Sequence, residues 1–216
     1  MVIMMSLWRN DASRDIENRM NHLLSKRSVD AWLWGVGDST DETFEILSSK
    51  AQQVPRITVL QCDSGIEGAE PVNCRRRTAW TASRMFAQLP PGEIACLHES
   101  DLLSPEDVVC NLAQNPLPVA AWPLITLNGK PQFYDIWAFR DLKGKHFKPD
   151  APRHSKPFCV SSFGSCWLTY TNLLIGRELT EEAVVSLCKQ WRAEGHNLWV
   201  DPRVVVHQPT HLWEAM

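Results

Sequence analysis

Short apolar runs alternate with amphipathic stretches through the first half of the chain. The runs have the length and composition of buried strands, which predicts strands at residues 2–8, 31–36, 56–62 and 94–97. The stretches between them repeat apolar positions at helical spacing, which predicts helices at residues 12–26, 42–51 and 75–88 and another after Ser104. Strands that alternate with helices indicate an α/β layer with a largely parallel sheet.

The second half of the chain is less regular. Strands are predicted at residues 119–127, 133–139, 165–170, 198–200 and 204–206. A helix is predicted to begin near Thr180 and to end at Gly195. Residues 143–156 are basic and contain prolines, which is typical of a loop that covers a site. Because no repeat, low-complexity tract or linker interrupts the sequence, we expect a single domain over residues 1–216.

Composition and charge allow one sizeable core and argue against several classes of protein. The 216 residues carry a net charge of −3, so nucleic-acid binding would need a local basic patch. Seven cysteines without Cys-x-x-Cys spacing indicate reduced thiols rather than a disulfide framework or a zinc site. The first apolar run stops at Arg9 and no signal peptide is recognisable, so we expect a soluble, cytoplasmic protein without a membrane span. The ten tryptophans add flat faces for stacking sugars or bases.

Two carboxylates one residue apart, Glu99 and Asp101, directly follow the apolar run at residues 94–97. At the end of a buried strand, such a pair points both side chains to one side of the sheet. Ligands of open α/β sheets gather at that edge, and two hard oxygen donors there can hold Mg²⁺ or Mn²⁺ together with nucleotide phosphates. Acid pairs are also common on solvated surfaces, so the position after the strand is what favours a metal site.

Two candidates for metal or nucleotide contacts each have a structural alternative. His207 closes the last apolar run, where it is either a structural or exposed histidine or a distant third ligand for the same metal. The Asp-Ser-Thr-Asp segment at residues 38–41 caps the next helix, and its carboxylates could also bind a base or a ribose. Both pairs of roles stay open at the level of the sequence.

Two further segments could serve the substrates. The three arginines at residues 75–77 are either a solvated helix start or the positive charge that a diphosphate requires, with a preference for Arg76. Residues 133–140 are rich in aromatic side chains and contain Asp135. Asp135 either caps a turn in a core strand or binds and deprotonates an acceptor hydroxyl, next to aromatic side chains that stack on the acceptor.

The order of these motifs resembles that of the GT-A glycosyltransferases, nucleotide-sugar-dependent enzymes that include the cellulose and chitin synthases. Residues 36–43 are similar to the family's Asp-Asp-Gly-Ser-Thr-Asp-x-Thr segment, and residues 99–101 occupy the position of its Asp-x-Asp metal motif. Residues 75–84 lie where the family has an arginine-bearing helix. The fold that the resemblance implies is a single GT-A domain, in which a Rossmann-like, mostly parallel central sheet is flanked by helices.

Other segments resemble a narrower group. Residues 7–16, 133–140 and 195–207 are similar to the fungal Golgi mannan-polymerase mannosyltransferases and to their bacterial and phage relatives. By this resemblance residues 1–110 form the nucleotide-sugar-binding half and residues 111–216 the acceptor-binding half.

The resemblance also implies roles for individual residues. A Mn²⁺ or Mg²⁺ ion held by Glu99, Asp101 and His207 would neutralise the leaving group of a UDP-sugar or GDP-sugar. An inverting enzyme would need a carboxylate base, whereas a retaining one would not. The candidates for that base are Asp135, Glu181 and Glu182. Further nucleotide contacts are implied for Arg9, Asp38, Asp41, Arg75, Arg76 and Ser100.

Two positions depart from the family pattern. The metal motif begins with Glu99, one methylene longer than aspartate, so Asp101 is the expected direct ligand. Val36 and Gly37 replace the leading aspartates of the other segment, which leaves both UDP and GDP open as the nucleotide.

The acceptor is indicated only by the smaller relatives. It is either a bacterial or phage surface glycan or a 5-hydroxymethylpyrimidine in phage DNA, as in the glycosyltransferases associated with TET/JBP hydroxylases. The tryptophans, the arginine run and the basic segment at residues 143–156 favour DNA, whereas the net charge argues against it.

Two other classes of protein remain as alternatives. A sugar-nucleotide pyrophosphorylase would carry a glycine-rich loop after the first strand, which residues 9–12 lack. A non-catalytic sugar- or nucleotide-binding module would not need the metal carboxylates. The sequence predicts no oligomeric state.

Overall fold

The computed structural model describes residues 1–151 and 153–209. The strands within these residues are β1 (Val2–Trp8), β2 (Ala31–Val36), β3 (Ile57–Gln61), β4 (Ile94–His98), β5 (Val119–Leu127), β6 (Lys130–Phe133), β7 (Phe158–Val160), β8 (Cys166–Tyr170) and β9 (Leu198–Gln208). The α-helices are α1 (Ile16–Leu24), α2 (Thr43–Gln53), α3 (Pro71–Phe86), α4 (Val108–Leu112) and α5 (Val184–Ala193).

These strands form one mixed sheet in the order β3-β2-β1-β4-β8-β5-β9-β7, with β6 paired to β5. The four strands of the first half are parallel to one another, as the alternation of strands and helices predicts. From β8 onward the sheet is mixed, because β8 runs antiparallel to both β4 and β5. The carboxyl ends of β1 to β4 therefore meet at one edge, beside the start of β8.

Helices cover both faces of the sheet, because successive strand residues point to opposite sides. Ile3 and Met5 of β1 belong to the core beneath α3 and α5, whereas Met4 belongs to the core beneath α1, α2 and α4. None of these helices, within the residues described, is long and apolar enough to cross a bilayer. The seven cysteines are free thiols.

Two predictions about the second half are wrong in detail. Residues 134–139 are not a strand, because β6 ends at Phe133 and the chain then turns at Asp135. The aromatic rings of this segment pack edge to face, Phe133 against Phe139, instead of continuing a ladder. The last two predicted strands are one strand, β9, whose register against β5 shifts between Ala121 and Trp122.

Candidate active site

The loops after β1, β2 and β3 are tied together at the carboxyl edge of the sheet. The carboxylate of Asp38 accepts hydrogen bonds from the backbone N–H (2.8 Å) and the hydroxyl (2.7 Å) of Ser64. Asp41 accepts the N–H of Ala12 (3.1 Å) and the hydroxyl of Thr43 (2.6 Å). Burial alone would raise the pKa of Asp41, yet these bonds lower it. Both predicted nucleotide-binding aspartates lie at the expected edge, with carboxylate oxygens that already hold loops in place.

A buried ion pair supports the loop that follows β4. The guanidinium of Arg19 donates to the carboxylate of Asp11 (2.7 Å), to the hydroxyl of Ser100 (2.6 Å) and to the carbonyl oxygen of Ser100 (3.0 Å). Arg19 also lies over the ring of Trp8, 5.0 Å from its centroid. Ser100, predicted to contact the nucleotide, is therefore buried, and its hydroxyl and carbonyl oxygens are hydrogen-bonded to Arg19. These bonds fix the position of its neighbours Glu99 and Asp101.

Three carboxyl groups converge beside the end of β4: those of Glu99, Asp101 and Asp135. Burial raises the pKa of Glu99 well above its usual range, and the negative charges of Asp101 and Asp135 raise it further. Burial also raises the pKa values of Asp101 and Asp135. Because all three groups are buried and Glu99 is repelled by the other two, the cluster favours the approach of a cation.

The Gly164–Ser165 turn positions two of these acids. The Ser165 hydroxyl donates to the carboxylate of Asp135 (2.6 Å), and the Ser165 carbonyl oxygen accepts the N–H of Glu99 (3.1 Å). Ser165 has φ +64°, a conformation that costs free energy in a residue with a Cβ atom and that is found at functional sites. A Cβ atom at Gly164 would collide with the carboxylate of Asp135 and with Ala138. Asp135 is thus held in one orientation.

Glu99 and Asp135 line a cavity of about 190 Å³ with largely apolar walls. Arg75 and Trp137 also line it, with the guanidinium 5.2 Å from the ring centroid of Trp137. A shallower pocket of about 150 Å³ lies beside it, shares Leu7 with it and is lined by Arg9. The structure therefore brings Arg9, Arg75, Glu99 and Asp135 to one region.

The second arginine of the run and the two predicted bases near α5 lie outside this cavity. Arg76 lies on a neighbouring face of α3, where it lines a surface groove together with Glu181. The carboxylate of Glu182 pairs with Lys189 at the surface. The helix phase brings Arg75, and not the preferred Arg76, to the cavity. Asp135 is the one candidate base that lies beside the acid pair.

The predicted metal ligand His207 is not part of the acid cluster. Neighbouring residues of β9 face opposite ways, so His207 is exposed and Gln208 points inward. The amide nitrogen of Gln208 donates to the carboxylate of Asp101 (2.9 Å), and its amide oxygen is buried without a partner among the described residues. Within residues 1–151 and 153–209, no three His, Cys, Asp or Glu side chains come together as a metal-binding group.

Sequence reasoning missed Arg19, Gln208 and Ser165, and a signal existed for two of them. Arg19 falls among Ile16, Met20 and Leu23 on the apolar face of α1, where an unpaired charge is not tolerated. Gln208 shares strand parity with buried residues of β9, so it had to point inward. Nothing in the sequence marks Ser165, whose role depends on contacts with distant segments.

Several solved structures superpose on nearly the whole of this chain. GalNAc-T7, in a structure with UDP, GalNAc and Mn²⁺, superposes with a TM-score of 0.64 over 97% of this chain and 43% of that chain, at 12% identity. The mannosyltransferase PcManGT from Pyrobaculum calidifontis, in complex with GDP-Man and Mn²⁺, gives 0.61 over 95% of this chain and 56% of that chain, at 15% identity. S. aureus TarS, residues 1–349, superposes with a TM-score of 0.60 over 96% of this chain and 60% of that chain, at 14% identity. The fold is that of the GT-A glycosyltransferases.

This result confirms the predicted fold class. The chain spans only about half the length of these neighbours. At identities of 12–15%, the roles of individual residues in those proteins cannot be assigned to residues of this chain. No protein-family model matches the sequence, and no curated protein matches it significantly.

The donor set at the end of β4 fits a hard divalent cation. Among the described residues, no hydrogen-bond donor reaches the carboxylate of Glu99, and Asp101 receives one bond from a neutral amide. Mg²⁺ in nucleotide enzymes is held by one or two carboxylates, with phosphates and water completing the shell. Two carboxylates are therefore sufficient for such a site.

Proposed function

We propose that the protein is a metal-dependent glycosyltransferase that moves a hexose from a nucleotide-diphosphate sugar to an acceptor hydroxyl. The observation that carries the proposal is the convergence of Glu99, Asp101 and Asp135 beside a cavity at the carboxyl edge of a GT-A sheet. The complexes of GalNAc-T7 and PcManGT with UDP or GDP-Man and Mn²⁺ support it as neighbours of this fold. Residues 1–110 would bind the donor and residues 111–216 the acceptor.

Glu99 and Asp101 would hold Mn²⁺ or Mg²⁺ in this proposal. When bound, the cation would supply positive charge to the diphosphate leaving group. Gln208 and Arg19 keep the Asp101 side chain and its loop in place before any ligand arrives. Arg75, which lines the same cavity, would add a second positive charge toward the donor, and Arg9 beside it a third.

Asp135 is the residue that would handle the acceptor proton. The acceptor oxygen would form a bond to the anomeric carbon while the bond from that carbon to the diphosphate oxygen breaks, and the acceptor proton would pass to the Asp135 carboxylate. Ser165 and Gly164 would hold that carboxylate in the orientation that accepts the proton. A base in this position corresponds to an inverting reaction.

The acceptor that we favour is the hydroxymethyl group of a modified pyrimidine in phage DNA. Trp137 supports this choice, because its ring lines the cavity next to Asp135 and offers a stacking face for an extruded base. A bacterial or phage surface glycan is the second candidate, since sugars stack on the same kind of face.

The decisive experiment incubates the protein and Mn²⁺ with UDP- and GDP-sugars and with 5-hydroxymethylcytosine DNA, followed by mass spectrometry of the nucleosides. We expect one donor to release nucleotide diphosphate and to add a hexose mass to the modified nucleoside. Asp101→Asn should lose both Mn²⁺ binding by calorimetry and transfer, whereas Glu45→Gln, an exposed acid on α2, should change neither. Donor turnover without any nucleoside product would exclude the DNA acceptor. No turnover of any donor, or full activity of Asp101→Asn, would contradict the proposed enzyme or its metal site.

A further inference from the structure

Residues 139–147 form a small hairpin directly after Asp135, Trp137 and Ala138, which line the cavity. The N–H of Asp141 donates to the carbonyl of Lys145 (2.9 Å), and that of Phe147 to the carbonyl of Phe139 (3.3 Å). The carboxylate of Asp141 accepts the N–H groups of Lys143 (2.8 Å) and Lys145 (2.9 Å), which closes the tip. The segment is therefore an ordered element, and we call it the basic hairpin.

The root of the basic hairpin is fixed to the candidate active site. Phe139 is fully buried and packs edge to face against Phe147 and Phe133. The ring of His146 donates from Nδ1 to the carbonyl oxygen of Ile136 (2.7 Å), the residue that follows Asp135.

Positive charge is concentrated in the basic hairpin and in the residues that directly follow it. The chain has a net charge of −3, yet residues 140–156 contain six lysines and arginines against two aspartates. Lys143, Lys145 and Lys148 are exposed, and none forms an ion pair with another described residue. Such a patch attracts a polyanion locally, although the protein as a whole is acidic.

The tip carries an apolar side chain where a polar one would be expected. Leu142 is 58% exposed, more than any other large apolar side chain among the described residues, and it stands between Asp141 and Lys143 in the chain. An exposed leucine offers no hydrogen bond to a sugar hydroxyl. It suits a duplex, because proteins that unstack DNA insert leucine, phenylalanine or methionine between base steps while lysines bind the phosphates.

We propose that the basic hairpin binds duplex DNA and that Leu142 acts as the wedge that unstacks the acceptor nucleotide. Lys143, Lys145 and Lys148 bind backbone phosphates on either side of the target. The nucleotide displaced by Leu142 is presented to Trp137 and Asp135 at the root of the hairpin. The inference rests on the proposed function for its acceptor, but the binding and unstacking steps require neither donor nor metal.

The test uses fluorescence anisotropy of a labelled 5-hydroxymethylcytosine duplex across a salt series. Each phosphate contact contributes about 0.9 to the slope of log affinity against log salt. The variant Lys143→Ser/Lys145→Ser/Lys148→Ser should therefore lower the slope by about 2 to 3. The matched control Arg27→Ser/Lys50→Ser/Arg192→Ser removes the same charge elsewhere and should leave the slope unchanged.

The wedge is tested with 2-aminopurine next to the modified base, because this fluorophore brightens when it is unstacked. We expect the wild-type protein to raise the fluorescence, and Leu142→Ala to abolish most of that rise with little change in the salt slope. Equal slopes for the hairpin and control variants would overturn the DNA-binding role. An unchanged 2-aminopurine signal in Leu142→Ala would overturn the wedge. Equally tight binding of inorganic polyphosphate would overturn duplex recognition and indicate an unspecific anionic polymer instead.

Manganese-dependent donor hydrolysis, measured on the same samples, separates this inference from the proposed function. A protein that hydrolyses the donor but does not bind the duplex contradicts the hairpin alone. One that binds and unstacks the duplex but never turns over a donor contradicts the glycosyltransferase alone.

Discussion

Arg19 and Asp11 form an ion pair inside the protein, with side chains only 8% and 7% exposed. Breaking a buried pair from one side leaves an uncompensated charge, which costs about 3–5 kcal/mol. We therefore expect Arg19→Met to lower the free energy of unfolding by about that amount, because Asp11 and Ser100 both lose their partner. Urea denaturation followed by fluorescence measures this change.

The control for this prediction is the exposed pair of Arg27 and Glu106, where Arg27→Met should cost about 1 kcal/mol or less. The double variant Arg19→Met/Asp11→Asn should recover part of the stability lost by Arg19→Met, since it removes the stranded charge. Equal decreases in the free energy of unfolding for Arg19→Met and Arg27→Met would show that the buried pair stabilises the protein no more than the exposed pair.

At the scale of elements, α1 is joined to the loop after β4 by a histidine that must stay neutral. The Nε2 atom of His22 accepts the N–H of Ser104 (3.0 Å), which a protonated ring cannot do. Burial, followed by the charge of Lys26, lowers the pKa of His22 from 6.5 to about 4. The ring of His98 faces it at 6.2 Å.

These facts fix the sign of a pH effect on stability. Between pH 6.5 and about 4, His22 binds a proton in the unfolded chain but not in the folded chain. The free energy of unfolding therefore falls as the pH falls through this window. The slope is at most about 1 kcal/mol per pH unit, given the partial exposure of the ring. His22→Gln should flatten this part of the unfolding profile, and identical wild-type and variant profiles would contradict the assignment.

The elements that sequence patterns located best are those whose burial is local. The observed bounds of β1 and β2 coincide with the predicted ones, because each is a short apolar run between polar turns. Residues 134–139 misled the pattern, because the ring of Phe139 is buried by packing against Phe147, which comes from a later loop. Period and composition cannot reveal a partner that is distant in the sequence.

At the scale of the whole molecule, the site also contains residues placed by local sequence and residues placed by contacts with distant segments. Glu99 and Asp101 were expected at the sheet edge because they directly follow an apolar strand run, although both lie in the turn after β4 and not on the strand itself. Asp135 lies beside them because the hydroxyl of Ser165 in the Gly164–Ser165 turn donates to its carboxylate. These two segments are about thirty residues apart, and no local sequence pattern predicts their contact. Arg75 rather than Arg76 lines the cavity because Arg75 shares a face of α3 with Thr78 and Ala82, which line it too.

Ligand binding should stabilise the whole domain, since the acid cluster is electrostatically unfavourable without a cation. A ligand that binds only the folded state at about 100 times its Kd adds about 2.7 kcal/mol, which raises Tm by roughly 5–10 °C in a domain of this size. We therefore expect Mn²⁺ together with UDP or GDP to raise Tm in differential scanning fluorimetry, and EDTA to reverse the shift. Asp101→Asn should show little or no shift, because the remaining carboxylate of Glu99 cannot hold the cation alone. A full shift in Asp101→Asn would mean that the ligands bind elsewhere on the protein.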